Sequence, residues 1–207
     1  MFPEIARDDV FRIETRRLWL RWPRMADAVA IARQAGVKAV AEMTATIRIN
    51  QTEADAVAFV LAAREINSEG AGLSLVITPQ RRPDQVIGAI GIVPGTGNRP
   101  TLGYWIAEEY WGQGFATEAA HALIDATFGL TGCPAIVASA APMNAASRRV
   151  LKKCGFGQTG MGMAEAPARG GPQAVDFFRL DRSTWSSLKG WREPRFVRED
   201  AMPMAAQ

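Results

Sequence analysis

The sequence predicts a mixed α/β fold, one sheet with helices on both faces, and three observations carry that prediction. Three β-rich runs follow one another between residues 73 and 106. A turn with small residues at 112, 114 and 116 then leads into a helix, and an uninterrupted apolar strand at 135–140 precedes a second helix opened by Asn144. Read in order, the chain gives seven strands and about four helices, which one central mixed sheet accommodates.

The first strand lies within IETRRLWLRW (13–22), with Leu18 and Leu20 on one face. MADAVAIARQA (25–35) reads as a helix stopped by Gly36. The next helix opens with Thr52 and Asp55 in capping-box spacing, and Ala56, Phe59, Val60 and Ala63 hold one of its faces. LSLVIT (73–78) and VIGAIGIV (86–93) are strands split by the hairpin loop PQRRPDQ, and PGTGNRP turns the chain into TLGYWI (101–106). A helix over 116–128 buries Ala119, Ala120, Leu123, Ile124 and Phe128 and is closed by Gly129. AIVASA (135–140) has the look of a buried parallel strand. Asn144 caps a helix that runs to Cys154, with Gly155 as its stop. Strands near 156–163 and 174–180 flank AEAPARGGPQ. The expected division is an extension at 1–10, one domain at 11–185 and a polar, Met/Pro-punctuated tail at 186–207.

Composition removes several functional classes. The 207 residues suit one domain with a full core, and 48% hydrophobic and 22% charged residues are globular values. A formal net charge of +3, with no basic and aromatic clustering, does not point to nucleic acid. Cys133 and Cys154 are too few and too widely spaced for a disulfide framework or a zinc site. His121 is the only histidine, which argues against zinc catalysis and a Ser–His or Cys–His nucleophile pair; no metal is expected. The first residues carry Glu4, Asp8 and Asp9 rather than a leader-like apolar run, and no 18-residue apolar stretch occurs. A cytoplasmic location without a membrane partner is the expectation.

EYWGQGFATEAA (109–120) carries the chemistry. Small side chains at 112, 114 and 116 leave backbone N–H groups bare at a helix start, where the helix adds partial positive charge, so the segment suits a bulky anion. A dinucleotide-binding fold would need glycine where Thr117 stands and an acid after the next strand, and AIVASA ends without one.

GYWIAEEYWGQGFATEAA (103–120) and MNAASRRVLKKCGF (143–156), with the strand order around them, resemble the GCN5-related N-acetyltransferases (GNAT), particularly the RimJ/RimL-type branch. The likeness covers roughly residues 11–185. The family signature Q/R-x-x-G-x-G/A falls on Trp111 to Ala116, with Trp111 in place of the usual Gln or Arg. The resemblance implies acetyl-CoA as cosubstrate. Its pyrophosphate would meet N–H groups from Gly112, Gln113, Gly114, Phe115, Ala116 and Thr117. The backbone of Trp105, Ile106 and Ala107, on a strand splayed from its neighbour, would pair with the pantetheine arm, and an N–H of Ile106 or Ala107 would stabilise the oxyanion.

By the same resemblance Asn144 both caps its helix and bonds the CoA arm. Leu151 stands where many relatives carry a tyrosine acid, and the branch pattern assigns that role to Ser147. The base that neutralises the amine would be Glu165, with Glu108 and Glu109 as alternatives. Among Arg148, Arg149, Lys152 and Lys153, one or two would meet the 3′-phosphate or simply form a solvated face; Lys152 is the candidate carried forward. Cys154 reads as core and His121 as a surface or packing residue. Segments 36–52 and 164–173 would build the acceptor pocket. The implied reaction is direct acetyl transfer to a primary amine in a ternary complex, with a protein N-terminus as first acceptor. A small amine, amino acid or antibiotic is the alternative, as is a non-catalytic acyl-CoA-binding module. Monomer and homodimer remain open.

Overall fold

The computed structural model describes residues 1–95, 97 and 99–192. Thr96 and Asn98 of the expected turn at 94–100, and residues 193–207 of the expected tail, lie outside the described residues. One eight-stranded mixed sheet runs through the molecule: β1 (Arg12–Glu14), β2 (Leu18–Arg21), β3 (Leu73–Pro79), β4 (Gly88–Pro94), β5 (Pro100–Ile106), β6 (Ala135–Ala140), β7 (Gly157–Ala164) and β8 (Gln173–Asp181). Their order across the sheet is β1-β2-β3-β4-β5-β6-β8-β7. The helices are α1 (Ala28–Ala35), α2 (Lys38–Ala41), α3 (Glu53–Ser68), α4 (Phe115–Leu130), α5 (Ala145–Lys153) and α6 (Arg182–Arg192).

Two apolar layers follow from strand alternation. Leu75, Ile77, Ile90, Leu102 and Ile106 face α4, while Val76, Ala89, Trp105 and Ala107 face α1 and α3. The capping box at Thr52 forms as its spacing predicts: the Thr52 hydroxyl accepts from the Asp55 N–H at 3.2 Å, and the Asp55 carboxylate accepts from the Thr52 N–H at 2.9 Å.

Three expectations are corrected. The first strand is a hairpin, with Ile13 opposite Leu20 and Glu14 opposite Trp19 across a turn at 15–17, which raises the strand count from seven to eight. That turn lacks Gly or Pro and is closed by side chains: the Leu18 N–H donates to the Thr15 hydroxyl at 2.9 Å. The helix expected at 25–35 opens with a 3-10 turn over Met25–Asp27, and short α2 follows it. Finally, α6 runs through position 186, where a tail was expected. Trp185 holds it, with its ring 5.0 Å from that of Phe128 and its indole N–H donating to the Asp125 carboxylate at 2.6 Å.

The sheet is interrupted at one place. β6 is antiparallel to β8 along all six of its residues, but it meets parallel β5 only at Thr101 opposite Val137. Beyond that bridge the two strands diverge, so the C-terminal half of β5 has a partner on the β4 side alone.

Candidate functional site

The divergence leaves specific backbone groups exposed to the gap. In the antiparallel β4/β5 ladder, Gly88 stands opposite Ile106, and the Ala107 N–H donates to the Ile87 carbonyl at 2.9 Å. That pattern makes Gly88/Ile106 a non-hydrogen-bonded pair, so the N–H and C=O of Ile106 point away from β4 into the gap. The Ile106 N–H therefore stays available there, whereas the Ala107 N–H expected to share its role is already engaged. The side chains of Trp105, Ile106 and Ala107 are buried, and Trp105, expected to pair with the pantetheine arm, sits in the hydrogen-bonded pair with Ala89 and spends its backbone on β4, so of the three it is Ile106 that offers backbone to the gap.

At the end of β5, Glu108–Tyr110 form a 3-10 turn, and the Trp111 indole N–H donates back to the Ile106 carbonyl at 2.7 Å. Trp111 thus ties the glycine turn to the splayed strand. Gly112 has φ +75° and Gly114, the N-cap of α4, has φ +79°. A Cβ on Gly112 would meet nothing within 4 Å, and one on Gly114 only the Arg17 guanidinium at 3.6 Å. Packing within the chain does not require glycine at either position. The left-handed backbone does, and it leaves open space above the turn. Ala116 lies inside α4 and needs no such conformation. The first-turn N–H groups, including those of Phe115, Ala116 and Thr117, lack intrahelical acceptors as at any helix start.

The sequence did not reveal what stiffens this turn. Glu118, in the first turn of α4, accepts from the Thr15 hydroxyl at 2.6 Å, the Arg17 N–H at 2.9 Å and the Arg17 Nε at 2.6 Å. Arg17 also donates to the Gln113 carbonyl at 3.0 Å and lies 4.5 Å above the Phe115 ring. Burial disfavours the charge on Glu118, but the bonds from Thr15 and Arg17 more than offset it and hold the carboxyl below its usual range.

Across the gap, Asn144 caps α5 by accepting the Ser147 N–H at 2.9 Å. Ser147 reaches β5, with its Oγ 2.9 Å from the Tyr104 hydroxyl, which also donates to the Ser147 carbonyl at 3.2 Å. Tyr104 was not singled out from the sequence. Its signal was its place two residues before Ile106, on the same edge of the strand.

The remaining candidates are more dispersed. Glu108 and Glu165 are exposed, and neither carboxylate pairs with another described residue; Glu165 follows the end of β7. The basic cluster divides: the Arg148 Nε lies 2.9 Å from buried Asp176 of β8, out of line for a hydrogen bond, while Arg149, Lys152 and Lys153 are exposed. The segments expected around the acceptor are joined. The Ala168 N–H donates to the Ala45 carbonyl at 3.0 Å, and Arg169 donates to the carbonyls of Thr44 and Ile47. Among the described residues no cluster of His, Cys, Asp or Glu could hold a metal, and no helix is long and apolar enough to cross a membrane.

Comparison with known proteins agrees with this geometry. The Bacillus subtilis (strain 168) protein YkkB is 38% identical over 93 residues, 44% of this chain and 54% of YkkB. The chain spans about half the length of the curated relatives it matches. The ribosomal-protein-S5-alanine acetyltransferase of Vibrio fischeri superposes with a TM-score of 0.70 at 20% identity, over 84% of this chain and 98% of that one. The microcin C7 self-immunity acetyltransferase MccE, solved with acetyl-CoA and AMP, gives 0.68 at 18% identity over 81% and 93%. These likenesses show the shared fold. Residues 17–157, more than half of the chain, match the acetyltransferase (GNAT) domain model, and the chain belongs to that family.

Proposed function

We propose that the protein transfers acetyl from acetyl-CoA to a primary amine by direct attack in a ternary complex. The observation that carries this reading is the splay between β5 and β6, opening beside a left-handed glycine turn at the start of α4. In it the pantetheine arm lies along β5 as an added strand, against the backbone of Ile106, and the pyrophosphate rests on N–H groups from Gly112 to Thr117. Asn144 bonds the arm, and exposed Lys152 meets the 3′-phosphate.

Chemistry then needs little beyond position. The attacking amine forms a bond to the thioester carbon, the oxyanion takes the Ile106 N–H, and the C–S bond breaks with its electron pair on sulfur. Ser147 attends the leaving sulfur, whose thiol, with an ordinary pKa of about 8.5, is already a fair leaving group. Glu165 or Glu108 accepts the amine proton, directly or through water. A protein N-terminus is the acceptor we favour, because a ribosomal-protein acetyltransferase shares the fold over most of both chains. A cytoplasmic setting follows from that choice.

The test is thiol release from acetyl-CoA with a panel of N-terminal peptides, lysine peptides and small amines. Turnover with N-terminal peptides supports the proposal, and turnover with small amines alone moves the acceptor to that class. Acetyl-CoA binding without turnover of any amine would leave a non-catalytic acyl-CoA-binding module.

A further inference from the structure

The open end of the splay is bridged on one face. β5 and β6 run parallel and part after Thr101 and Val137, toward Ile106 and Ala140. Ala140 stands opposite Asp176 of β8, and Gln173 of β8 stands opposite Ala164 of β7. The β7–β8 loop therefore lies at that same end, on the β6 side of the gap. On the β5 side, Ile47 packs into the apolar cluster that holds Trp105 and Ala107, on the α1 and α3 face of the sheet. Three hydrogen bonds join the two sides. The Ala168 N–H donates to the Ala45 carbonyl at 3.0 Å, and Arg169 donates from Nε to the Thr44 carbonyl at 3.3 Å and from Nη2 to the Ile47 carbonyl. Each side is braced behind the contact. The Thr44 hydroxyl accepts from the Ile47 N–H at 3.3 Å, and the Arg169 N–H donates to the carbonyl of buried Ala166, next to Glu165, at 2.7 Å. Among the described residues no carboxylate pairs with the Arg169 guanidinium, whose planar fork is spent on two backbone carbonyls of one segment.

We propose that Arg169 is a positioning residue for the acceptor amine. It clasps the 44–47 segment to the loop that carries Glu165, and so fixes the mouth through which the amine reaches the Ile106 N–H. Acetyl-CoA, seated on the glycine turn of α4, comes from the opposite face of the sheet, the one that Leu102 and Ile106 line. The clasp therefore sets where the amine stands relative to the thioester carbon and the Glu165 carboxylate without touching acetyl-CoA. This rests on the acetyltransferase reading above and deepens it. Two of the three bonds come from one side chain, so its loss leaves the Ala168–Ala45 bond alone to hold the loops together. A displacement of about 1 Å in a reacting group costs on the order of 10²-fold in rate, which is the scale of effect the clasp controls.

The test compares wild type, Arg169→Lys and Arg169→Met as the full chain, with acetyl-CoA and two acceptor probes, a hexapeptide with an N-terminal alanine and n-butylamine. For the probe that turns over, kcat/KM should fall on the order of 10²-fold in Arg169→Met, mostly through the amine KM. Arg169→Lys, whose ammonium reaches one carbonyl, should lose less, and it carries the comparison where Arg169→Met fails to fold by circular dichroism. The acetyl-CoA dissociation constant, read by calorimetry, should stay within about twofold in both variants. Hydrogen exchange of segments 42–50 and 164–171 should quicken together in the variants, with 112–117 unchanged. An unchanged amine KM, or an equal fall in acetyl-CoA affinity, would overturn the positioning role while leaving the acetyltransferase reading intact. Wild type that binds acetyl-CoA yet turns over neither probe would also overturn the acceptor role. Absence of any acetyl-CoA binding would overturn both.

Discussion

Glu118→Gln removes the charge that fastens the β1–β2 turn to the glycine turn. The amide oxygen can still accept from Thr15, so the loss falls on the two Arg17 contacts, the N–H at 2.9 Å and the Nε at 2.6 Å. A hydrogen bond to a charged acceptor contributes about 1.5 kcal/mol. The Arg17 side chain is 43% exposed, so its ion pair adds no more than about 0.5 kcal/mol. The sum is about 2 kcal/mol at pH 7, or a melting-temperature drop of about 4–8 °C for a chain of this size.

The same side chain fixes a pH dependence. Because the folded-state pKa of Glu118 is depressed, its contribution is complete above the unfolded value of about 4.3 and is lost as pH falls through the folded value. Thermal melts of wild type and Glu118→Gln should therefore differ at pH 7 and converge below about pH 4. The variant should also bind acetyl-CoA more weakly, since Arg17 holds the Gln113 carbonyl inside the turn. Equal melting temperatures at pH 7, or a gap that persists undiminished at pH 3, would refute this account of the turn.

Other perturbations separate the remaining parts. Asn144→Ala should cost about 1 kcal/mol through loss of the α5 cap, read by thermal melting, and weaken acetyl-CoA binding in calorimetry. Arg148→Ala leaves the buried Asp176 carboxylate with only the Gln158 amide at 3.0 Å, and should cost about 2–3 kcal/mol in urea denaturation. Trp185→Ala should release α6 from Phe128 and Asp125, at about 2–3 kcal/mol given its partial burial, and bring α6 to faster hydrogen exchange than α4.

Legibility followed the range of the interactions. The cap at Asn144, the box at Thr52 and the left-handed stop at Gly155 could be read because each is set by residues within a few positions. The glycine turn belongs to the same class: positive φ at 112 and 114 restricts the residue type there, and this restriction shows in the sequence. What escaped depends on distant partners. The turn at 15–17 has no turn residue of its own and is completed by Glu118, 103 positions from Thr15. Tyr104 meets Ser147 only because β5 and β6 diverge. Arg148 reads as one of a basic group until β8 brings Asp176 beside it. Among the described side chains of α6, Ser183, Thr184, Ser186, Ser187 and Lys189 are exposed, so its polarity resembles that of a tail, while Arg182 and Trp185 hold it through partners 49 to 60 positions away.

The most direct test of the central claim is titration calorimetry of acetyl-CoA into wild-type protein and into Gly114→Trp, with folding of the variant checked by circular dichroism. The account predicts a dissociation constant on the order of micromolar for wild type, at least about 30-fold weaker for a folded Gly114→Trp, where the indole fills the space above the turn. Wild-type protein that takes up no acetyl-CoA at millimolar concentration, or a folded Gly114→Trp that binds as tightly as wild type, would contradict it.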